Sequence, residues 1–593
     1  MNSVSVTGQK WILKEFDHSY VQYIKDNFFL DEISSKHLAI KKIKKDDVKN
    51  YLNPSIKNII PNPDILNDMK KATKRTIETL KKKEKIGILG DYDVDGASSI
   101  AILGKYFKEI NQDFEIYIPD RKDEGYGPSI KGFKYLIDKE SKLIFTVDCG
   151  TLSFEPIKYA VKNNIDILVL DHHQSEINLP KAHAIVNPNR YDDKSNLNYL
   201  CASGVCFMFL VSLNRQLRSL KWFEKNNIKE PNLINYLDLV SLGTVCDVVP
   251  LIGLNRAIVK QGLKVFNYKN NLGLKTLQDI CKIENQITTY HLGYIIGPRI
   301  NAGGRVGKCS HGANLLLNNN SKEAFKLASE LNNYNIERQL LEKKLLSDIL
   351  NGPLNIDDPV LCLIGSNWHE GVIGIIASRI KEKYNKPTII ISVDKKIGKA
   401  SARSVVGFDI GSIIISGVQS GLLIKGGGHK MAGGFSITPD KINEFKNFVI
   451  RKFNTLNKKI SQQKEILIDG LIAPSAINLD FYNKVYNLGP FGSGNSEPKF
   501  VIENVKSLNS KIVGEKHIKS ILLSPDGSNI KTIAFNATET NIGGYLMNMN
   551  SKTFNIAGKL SLNEWKGQKN VEFIIDDISV NKENKNMVPS SIG

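Results

Sequence analysis

The sequence predicts an α/β protein in three folded parts: a first lobe built on a parallel sheet, a smaller α/β lobe joined to it by one long helix, and a C-terminal all-β domain. Three observations carry this. Between residues 86 and 170, short apolar runs alternate with helical segments, the βαβαβ rhythm of a parallel sheet. From Ser321 to Asn351, apolar residues recur every three or four positions without a break. Beyond Lys464 the period drops to two and turn residues intervene. At 593 residues, 41% of them hydrophobic, the chain is long enough to form several cores.

Taken in order, residues 1–84 read as an N-terminal extension packed on the first lobe, with Lys81-Lys82-Lys83 as its solvated edge. The first lobe is expected over 85–320. Its buried strands are Ile86-Gly87-Ile88-Leu89, residues 143–147 and residues 165–170, with helices over 97–110 and 154–163. Residues 195–214 carry no charge, but three Asn and three Ser make a buried core helix the better account than a membrane span. The connecting helix, 321–352, has Leu327, Leu331, Tyr334, Leu341, Leu345 and Ile349 on its apolar stripe and Gly352-Pro353 as its stop. The second lobe follows over 353–462, opening with a strand-like run to Gly365. Six short strands are expected in the β domain, 463–580: 466–469, 500–505, 518–523, 531–535, 554–560 and 571–575. The polar tail, 581–593, is expected to fray.

Four acidic clusters dominate the first lobe: GDYDVDG (90–96), VDCG (147–150), DHH (171–173) and CDVV (246–249), each after an apolar run. In open α/β sheets the loops beyond the carboxyl ends of the strands form the ligand crevice, so these clusters should meet. Carboxylates with one or two imidazoles suit Mn²⁺ or Mg²⁺ rather than a thiolate zinc centre. Two such ions roughly 3.5–4 Å apart serve phosphoester hydrolysis. Singly, each piece has a plainer reading, since an Asp at a strand end is more often a cap and DxDxDG could be half of a calcium loop. That loop fails in detail: Lys105 and Tyr106 stand where its closing acid is needed. Four clusters after four apolar runs make one metal site the better reading.

The order GDYDVDG, VDCG, DHH, CDVVPL, then GPRINAGGRVG (297–307) and GGGHKMAGGF (426–435), resembles the DHH phosphoesterase superfamily with its DHHA1 companion domain. Within it, IPDRKDEGYG (118–127) and GPFGSGNSEPKF (489–500) are similar to the branch of single-stranded-DNA-specific exonucleases that ends in an OB-fold domain. The resemblance covers nearly the whole chain. It implies that Asp93, Asp95, Asp148, His172 and Asp247 ligate two ions, Mn²⁺ or Mg²⁺, with Asp148 as the bridge and His173 facing the scissile phosphate. Asp91 stands as a further ligand or an orienting group, and Asp171 as the residue that orients one. One departure stands four positions before Asp93, where some members carry a ligating His and this chain has Leu89.

The resemblance further implies 5′ to 3′ hydrolysis of single-stranded DNA to nucleotides in recombination and repair. A single-strand-binding protein and a helicase are the candidate protein partners, and a monomer is expected. In the second lobe, His369, Arg403, Gly427, Gly428 and His429 offer backbone donors and a guanidinium fork for phosphates, and Arg299, Asn301 and Arg305 are further phosphate candidates. Turns and a core His are the better account of any one of the second-lobe residues, but their recurrence in one lobe favours phosphate capture. OB-folds hold single strands by stacking on aromatic rings, but Phe481, Tyr482, Tyr486, Phe491, Phe500, Phe535 and Trp565 read mostly as core.

Charge agrees with a polyanionic substrate: 80 Lys and Arg against 61 acids give +19, although a Lys-rich solvated surface would give the same sum. Seven Cys without a CxxC pair argue for a reducing cytoplasm, and the N-terminus lacks an apolar signal segment. Two other classes stand beside the exonuclease: a phosphodiesterase acting on short oligonucleotides or cyclic dinucleotides, and a non-catalytic strand-binding replication factor. The C-terminal β domain argues against the first. Retention of every implied ligand argues against the second.

Overall fold

The computed structural model describes residues 3–581 except 122, 269–270, 395, 457–463, 549–552 and 566–567. The expected tail from 582 onward and the Trp565 side chain lie outside the described residues. In the first lobe, strand alternation sorts side chains onto two faces. Ile86, Ile88, Leu143, Phe145, Val147, Leu168 and Leu170 enter one core, while Leu89, Ile144, Ile167 and Val169 enter another. Burial on both faces is what a parallel sheet between helical layers requires.

The five strands are all parallel and lie in the order Phe114–Tyr117, Ile86–Gly90, Leu143–Val147, Asp166–Leu170, Ala184–Val186. Chain order therefore reverses between Ile86–Gly90 and Leu143–Val147. That switch point leaves a crevice at the strand ends. Leu89, at the position where relatives can carry a ligating His, is fully buried among Phe133, Leu136 and Ile144 and acts as a packing residue. No helix among the described residues is long and apolar enough to cross a membrane, and the uncharged stretch forms most of a buried helix, Ala202–Ser219.

The connecting helix spans Ser321–Asn351, with Asn320 accepting from the Lys322 and Glu323 N–H groups and Gly352 following its last turn. Glu342, buried midway along it, binds Arg338 of the same helix at 2.7 Å and also Arg379 of the second lobe. The second lobe's mixed sheet runs Lys425–His429, Ala432–Ile437, Ile397–Arg403, Thr388–Asp394, Leu361–Ser366, with only the last pair parallel. Helices Glu370–Tyr384, Ile410–Gln419 and Ile442–Leu456 pack on it.

The C-terminal domain is a closed five-stranded barrel. Phe500–Val513 pairs with His517–Leu523, that with Asn529–Ala534, that in parallel with Gln568–Asn581, and Phe554–Trp565 closes the ring. Closure removes the sheet edges. Of the six expected strands, the first is no part of it: Glu465–Ile468 pairs in parallel with Lys10–Leu13.

The N-terminal extension likewise divides. Its last helix, Met69–Lys82, puts Met69, Ala72, Ile77 and Leu80 into the first-lobe core, as expected. Its first residues instead go to the far end of the chain, where Ser3–Ser5 pairs antiparallel with residues 579–581. There the wholly buried Asp577 accepts from Trp11 Nε1 at 2.8 Å, from Thr7 Oγ1 at 2.9 Å, and from the Ser5 hydroxyl. Hydrophobic spacing identifies a strand but not the edge it joins, so the extension packs both on the first lobe and on the C-terminal barrel.

A candidate metal centre and a cationic cleft

The first cluster follows Ile86–Gly90 directly. Asp93 caps the helix Val94–Glu109, its Oδ1 accepting from the N–H groups of Asp95 at 2.9 Å and Gly96 at 3.0 Å. Gly96 is required there, because a Cβ would stand 2.4 Å from the Asp91 carbonyl oxygen. Asp95 reaches across to a second helix start and accepts from Ala202 N at 2.6 Å and Ser203 N at 3.0 Å. Two positive helix ends thus hold two carboxylates.

Asp148 ends the neighbouring strand with φ +59°, a left-handed conformation. Val248, just after Asp247, has φ +60°. A β-branched residue there is uncommon, and such strain, about 1–3 kcal/mol per residue, gathers at functional sites. Asp247 itself ends the helix Leu237–Cys246 rather than a strand, so the fourth cluster differs from the other three in local structure.

His172 Nε2 lies 3.3 Å from Asp148 Oδ1, 3.6 Å from Asp247 Oδ2 and 4.0 Å from Asp95 Oδ2. Three overlapping groups could hold cations: Asp91, Asp93 and Asp148; Asp95, His172 and Asp247; Asp148, His172 and His173. Asp148 belongs to two of them. Asp91 is buried, and its Oδ1 has no hydrogen-bond partner. Burial and the Asp93 charge push the Asp91 carboxyl well above the ordinary range. Burial with Asp93 and Asp95 does the same to Asp148, and burial with Asp95 and Asp93 pushes Asp247 up to about 9. An orphaned buried oxygen and mutually repelling carboxylates are what an oxygen-ligated divalent cation would satisfy.

Asp171 has another task. Buried, it accepts from the N–H groups of His172 at 2.7 Å, His173 at 3.2 Å and Thr151 at 3.0 Å, from the Thr151 hydroxyl at 2.6 Å, and pairs with His173 Nδ1 at 2.7 Å. Burial opposes its charge, but His173 and these donors hold its carboxyl below the ordinary range. Burial also opposes charge on His173, yet Asp171 lifts that ring to about 9. Both Asp171 oxygens are therefore occupied, holding the His173 ring directly and the His172 backbone through its N–H.

Sequence reasoning missed several supports. Asn187 Nδ2 donates to Thr151 Oγ1 and to the His173 carbonyl, both at 2.8 Å, and Asn189 donates to the His172 carbonyl. Tyr126 was quoted only as part of a motif. Its hydroxyl donates to the Asp148 carbonyl at 2.9 Å and lies 3.0 Å from His173 Nε2. The spacing of Tyr126 from the acidic clusters carried no signal for that contact.

A cleft of about 700 Å³ separates the lobes, lined by Arg121 and Arg305 from the first and Lys399, Arg403 and Lys425 from the second, with Glu370 as its only acid among the described residues. Arg305 Nη1 donates to the Gly371 carbonyl at 3.1 Å across the junction. Burial and the neighbouring Arg121, Arg338 and Arg403 charges lower its guanidinium to about 10. Crowded cations of this kind suit a phosphate chain.

The other expected phosphate residues are placed differently. Arg299 turns to the connecting helix and donates to Asn332 Oδ1 at 3.0 Å and the Ile295 carbonyl at 2.7 Å. Asn301 accepts from Val94 N at 3.1 Å, at the start of the Asp93-capped helix. His369 Nδ1 accepts from Gly371 N at 3.1 Å, so that N–H is already engaged. Gly427, Gly428 and His429 lie on an exposed hairpin strand beside the cleft residues Lys425 and Gly426. Gly428 lets the hairpin close, since a Cβ would sit 2.4 Å from the Ala432 carbonyl. A Cβ on Gly427 would meet nothing.

The 489–500 segment proves to be a seam. Arg256, 2% exposed, donates from Nη2 to the Leu488 and Gly489 carbonyls at 2.9 and 2.7 Å and from Nε to the Tyr51 carbonyl at 2.9 Å. Tyr51 in turn donates to Asn495 Oδ1 at 2.8 Å. First lobe, extension and β domain meet there.

Comparison with known proteins gives three family matches: the DHH family N-terminal domain over residues 85–244, the DHHA1 domain over 357–455 and the RecJ OB domain over 468–577. The chain is 32% identical over 542 residues to the single-stranded-DNA-specific exonuclease RecJ of Haemophilus influenzae, covering 89% of this chain and 93% of that one. It is likewise 32% identical over 544 residues to the Escherichia coli protein of the same name, covering 89% and 92%. The crystal structure of RecJ in complex with Mn²⁺ from Thermus thermophilus matches with a TM-score of 0.79 at 25% identity, over 96% of this chain and 79% of that one.

Proposed function

The chain belongs to the RecJ family of single-stranded-DNA-specific exonucleases, and from that premise we propose that it degrades single-stranded DNA from the 5′ end to mononucleotides, using two divalent ions, Mn²⁺ or Mg²⁺. The observation that carries this reading is the set of three donor groups linked in a chain, two through Asp148 and two through His172. Asp91, Asp93 and Asp148 would hold one ion and Asp95, His172 and Asp247 the other, with Asp148 near both because it lies 3.3 Å from His172 Nε2. Asp91 supplies the donor that a His in place of Leu89 would otherwise contribute. When bound, the ions supply Lewis-acid activation of the phosphodiester and of the attacking water.

The chain's own residues do the rest. Asp93 and Asp95 are held by helix N-termini before any ion arrives, which lowers the cost of assembling like charges. Asp171 fixes the His173 imidazole, so that His173 faces the scissile phosphate, and anchors the His172 backbone. Arg121, Arg305, Arg403, Lys399 and Lys425 grip the strand's phosphates between the lobes. Arg299 and Asn301 serve the scaffold in this reading, Arg299 on the connecting helix and Asn301 on the Asp93 loop. The seven cysteines, none in a disulfide, support work in a reducing compartment.

The test uses end-labelled single strands, duplex, a cyclic dinucleotide and pyrophosphate, each with Mn²⁺, Mg²⁺ or chelator. Mononucleotide release from single strands alone, from the 5′ end and only with metal, is expected. Cleavage of the cyclic dinucleotide alone, or duplex degraded as fast as single strands, overturns the reading.

A further inference from the structure

Outside the acidic pocket and the cationic cleft, one surface presents flat rings to solvent. Tyr290 and Tyr294 stand one turn apart and stack with centroids 5.2 Å apart and planes 28° from parallel. They are 60% and 73% exposed. Neither hydroxyl has a hydrogen-bond partner among the described residues. The edge of His291 rests against Tyr290 with centroids 5.9 Å apart, and His291 is itself fixed by the Thr288 N–H at 3.0 Å. The pair is thus held from one side and open on the other.

Its place in the fold matters more than its exposure. His291–Ile296 forms a π-helical stretch, a rare geometry that recurs at functional sites. That stretch packs on the last turn of the helix leading to Asp247. The Cys246 thiol donates to the Leu292 carbonyl at 3.4 Å, and a Cβ on Gly297 would stand 2.4 Å from Cys246 Sγ. On its other side Thr289 Oγ1 donates to the Phe491 carbonyl at 2.7 Å, in the seam that leads to the barrel. Lys559, on the barrel strand Phe554–Trp565, pairs with Glu497 at 2.6 Å and lies within electrostatic reach of the Tyr294 phenol. Two solvent-facing aromatic rings therefore sit between the metal pocket and the barrel, with a cation beside them. Every base offers a π-face, and aromatic platforms flanked by cations hold single strands without regard to sequence.

We propose that Tyr290 and Tyr294 form a base-stacking platform for the substrate strand on the 3′ side of the scissile bond, where it passes from the first lobe toward the barrel. The proposal rests on the reading of the chain as a single-strand exonuclease and adds a subsite to it. It is tested with the full-length protein as wild type, Tyr290→Ala/Tyr294→Ala and Tyr290→Phe/Tyr294→Phe. Three substrates are compared: a long oligonucleotide, the same strand with an abasic run behind its first nucleotides, and a trinucleotide. On the long strand the Ala pair should raise KM about tenfold with kcat unchanged. The Phe pair should match wild type. The defect of the Ala pair should vanish on the abasic strand and on the trinucleotide. An unchanged KM for the Ala pair on the long strand overturns the proposal. So does a defect that persists on the abasic strand, which would place the rings on backbone or on a partner protein. Wild type inert on every single strand would instead overturn the exonuclease reading, and the platform with it.

Discussion

In the acidic pocket, Asp93 and Asp95 each accept two backbone N–H groups and Asp171 accepts three, whereas in the cleft Arg403 spends Nη1 on its own Ala402 carbonyl and the Ser401 hydroxyl, and Lys425 pairs with no acid among the described residues. Both regions gather like charges, and they restrain them to different degrees. Carboxylates that must converge on an ion of fixed size need their positions settled in advance, and helix ends supply that at little conformational cost. Cations that follow a strand moving one nucleotide at a time need reach rather than fixity. The pocket is accordingly built on sheet ends and helix starts. The cleft is built on a first-lobe helix end carrying Arg305, on the start of the helix Glu370–Tyr384, on strand residues such as Lys399 and Arg403, and on a hairpin exposed along its whole outer strand.

The comparison breaks most sharply at Asp148. Asp148→Asn should lower kcat by about 1,000-fold or more, because it removes the donor that two groups share. The same change should raise the melting temperature measured in chelator, since it relieves repulsion among Asp93, Asp95, Asp91 and Asp247. It should also abolish the further rise that Mn²⁺ gives wild type. A variant that is less stable than wild type in chelator would show that these carboxylates do not repel one another.

Asp171→Asn tests fixity without touching a ligand position. With His172 and His173 no longer held by a charged acceptor, activity should fall about 10–100-fold and the Mn²⁺ concentration for half-activity should rise. Unchanged metal dependence would separate Asp171 from the ligands it is said to orient.

Arg403→Ala probes the other side. KM for single strands should rise about tenfold with kcat nearly intact, and the slope of log affinity against log salt should fall by about 1. A loss in kcat at constant KM would move Arg403 from gripping the strand to the reaction itself. The smallest effect is expected for Tyr126→Phe, which loses one hydroxyl bonded to the Asp148 carbonyl and close to His173: kcat about 3–10-fold lower, with KM unchanged.

Much of this was legible beforehand. The strands at 86–90, 143–147 and 166–170 announced themselves as apolar runs, and acids at their ends read as a site because strand ends converge in such sheets. The connecting helix was legible to within one residue because its apolar repeat runs unbroken over many turns and its stop is Gly-Pro. Residues whose roles depend on remote partners were not legible. Asn301 looked like a phosphate contact and instead accepts from Val94, 207 positions away in sequence. Arg299 looked like a phosphate candidate, and its Nε donates to Asn332 Oδ1 on the connecting helix. Residues 466–469 looked like the first strand of the β domain, and Glu465–Ile468 instead pairs with Lys10–Leu13, a contact that spans almost the whole chain.

The sequence by itself determined the three-part α/β plan, the carboxylate and imidazole chemistry and the divalent cation that chemistry favours, because periodicity and residue type are local properties. Tertiary structure alone decided that Asp148 is shared between donor groups, that Asp171 bonds the His173 ring, that the extension closes onto the barrel, and that Arg121, Arg305 and Arg403 share one cleft. Those outcomes depend on which distant backbone groups and charges are brought within a few ångströms of each other, and no local pattern in the chain encodes that distance.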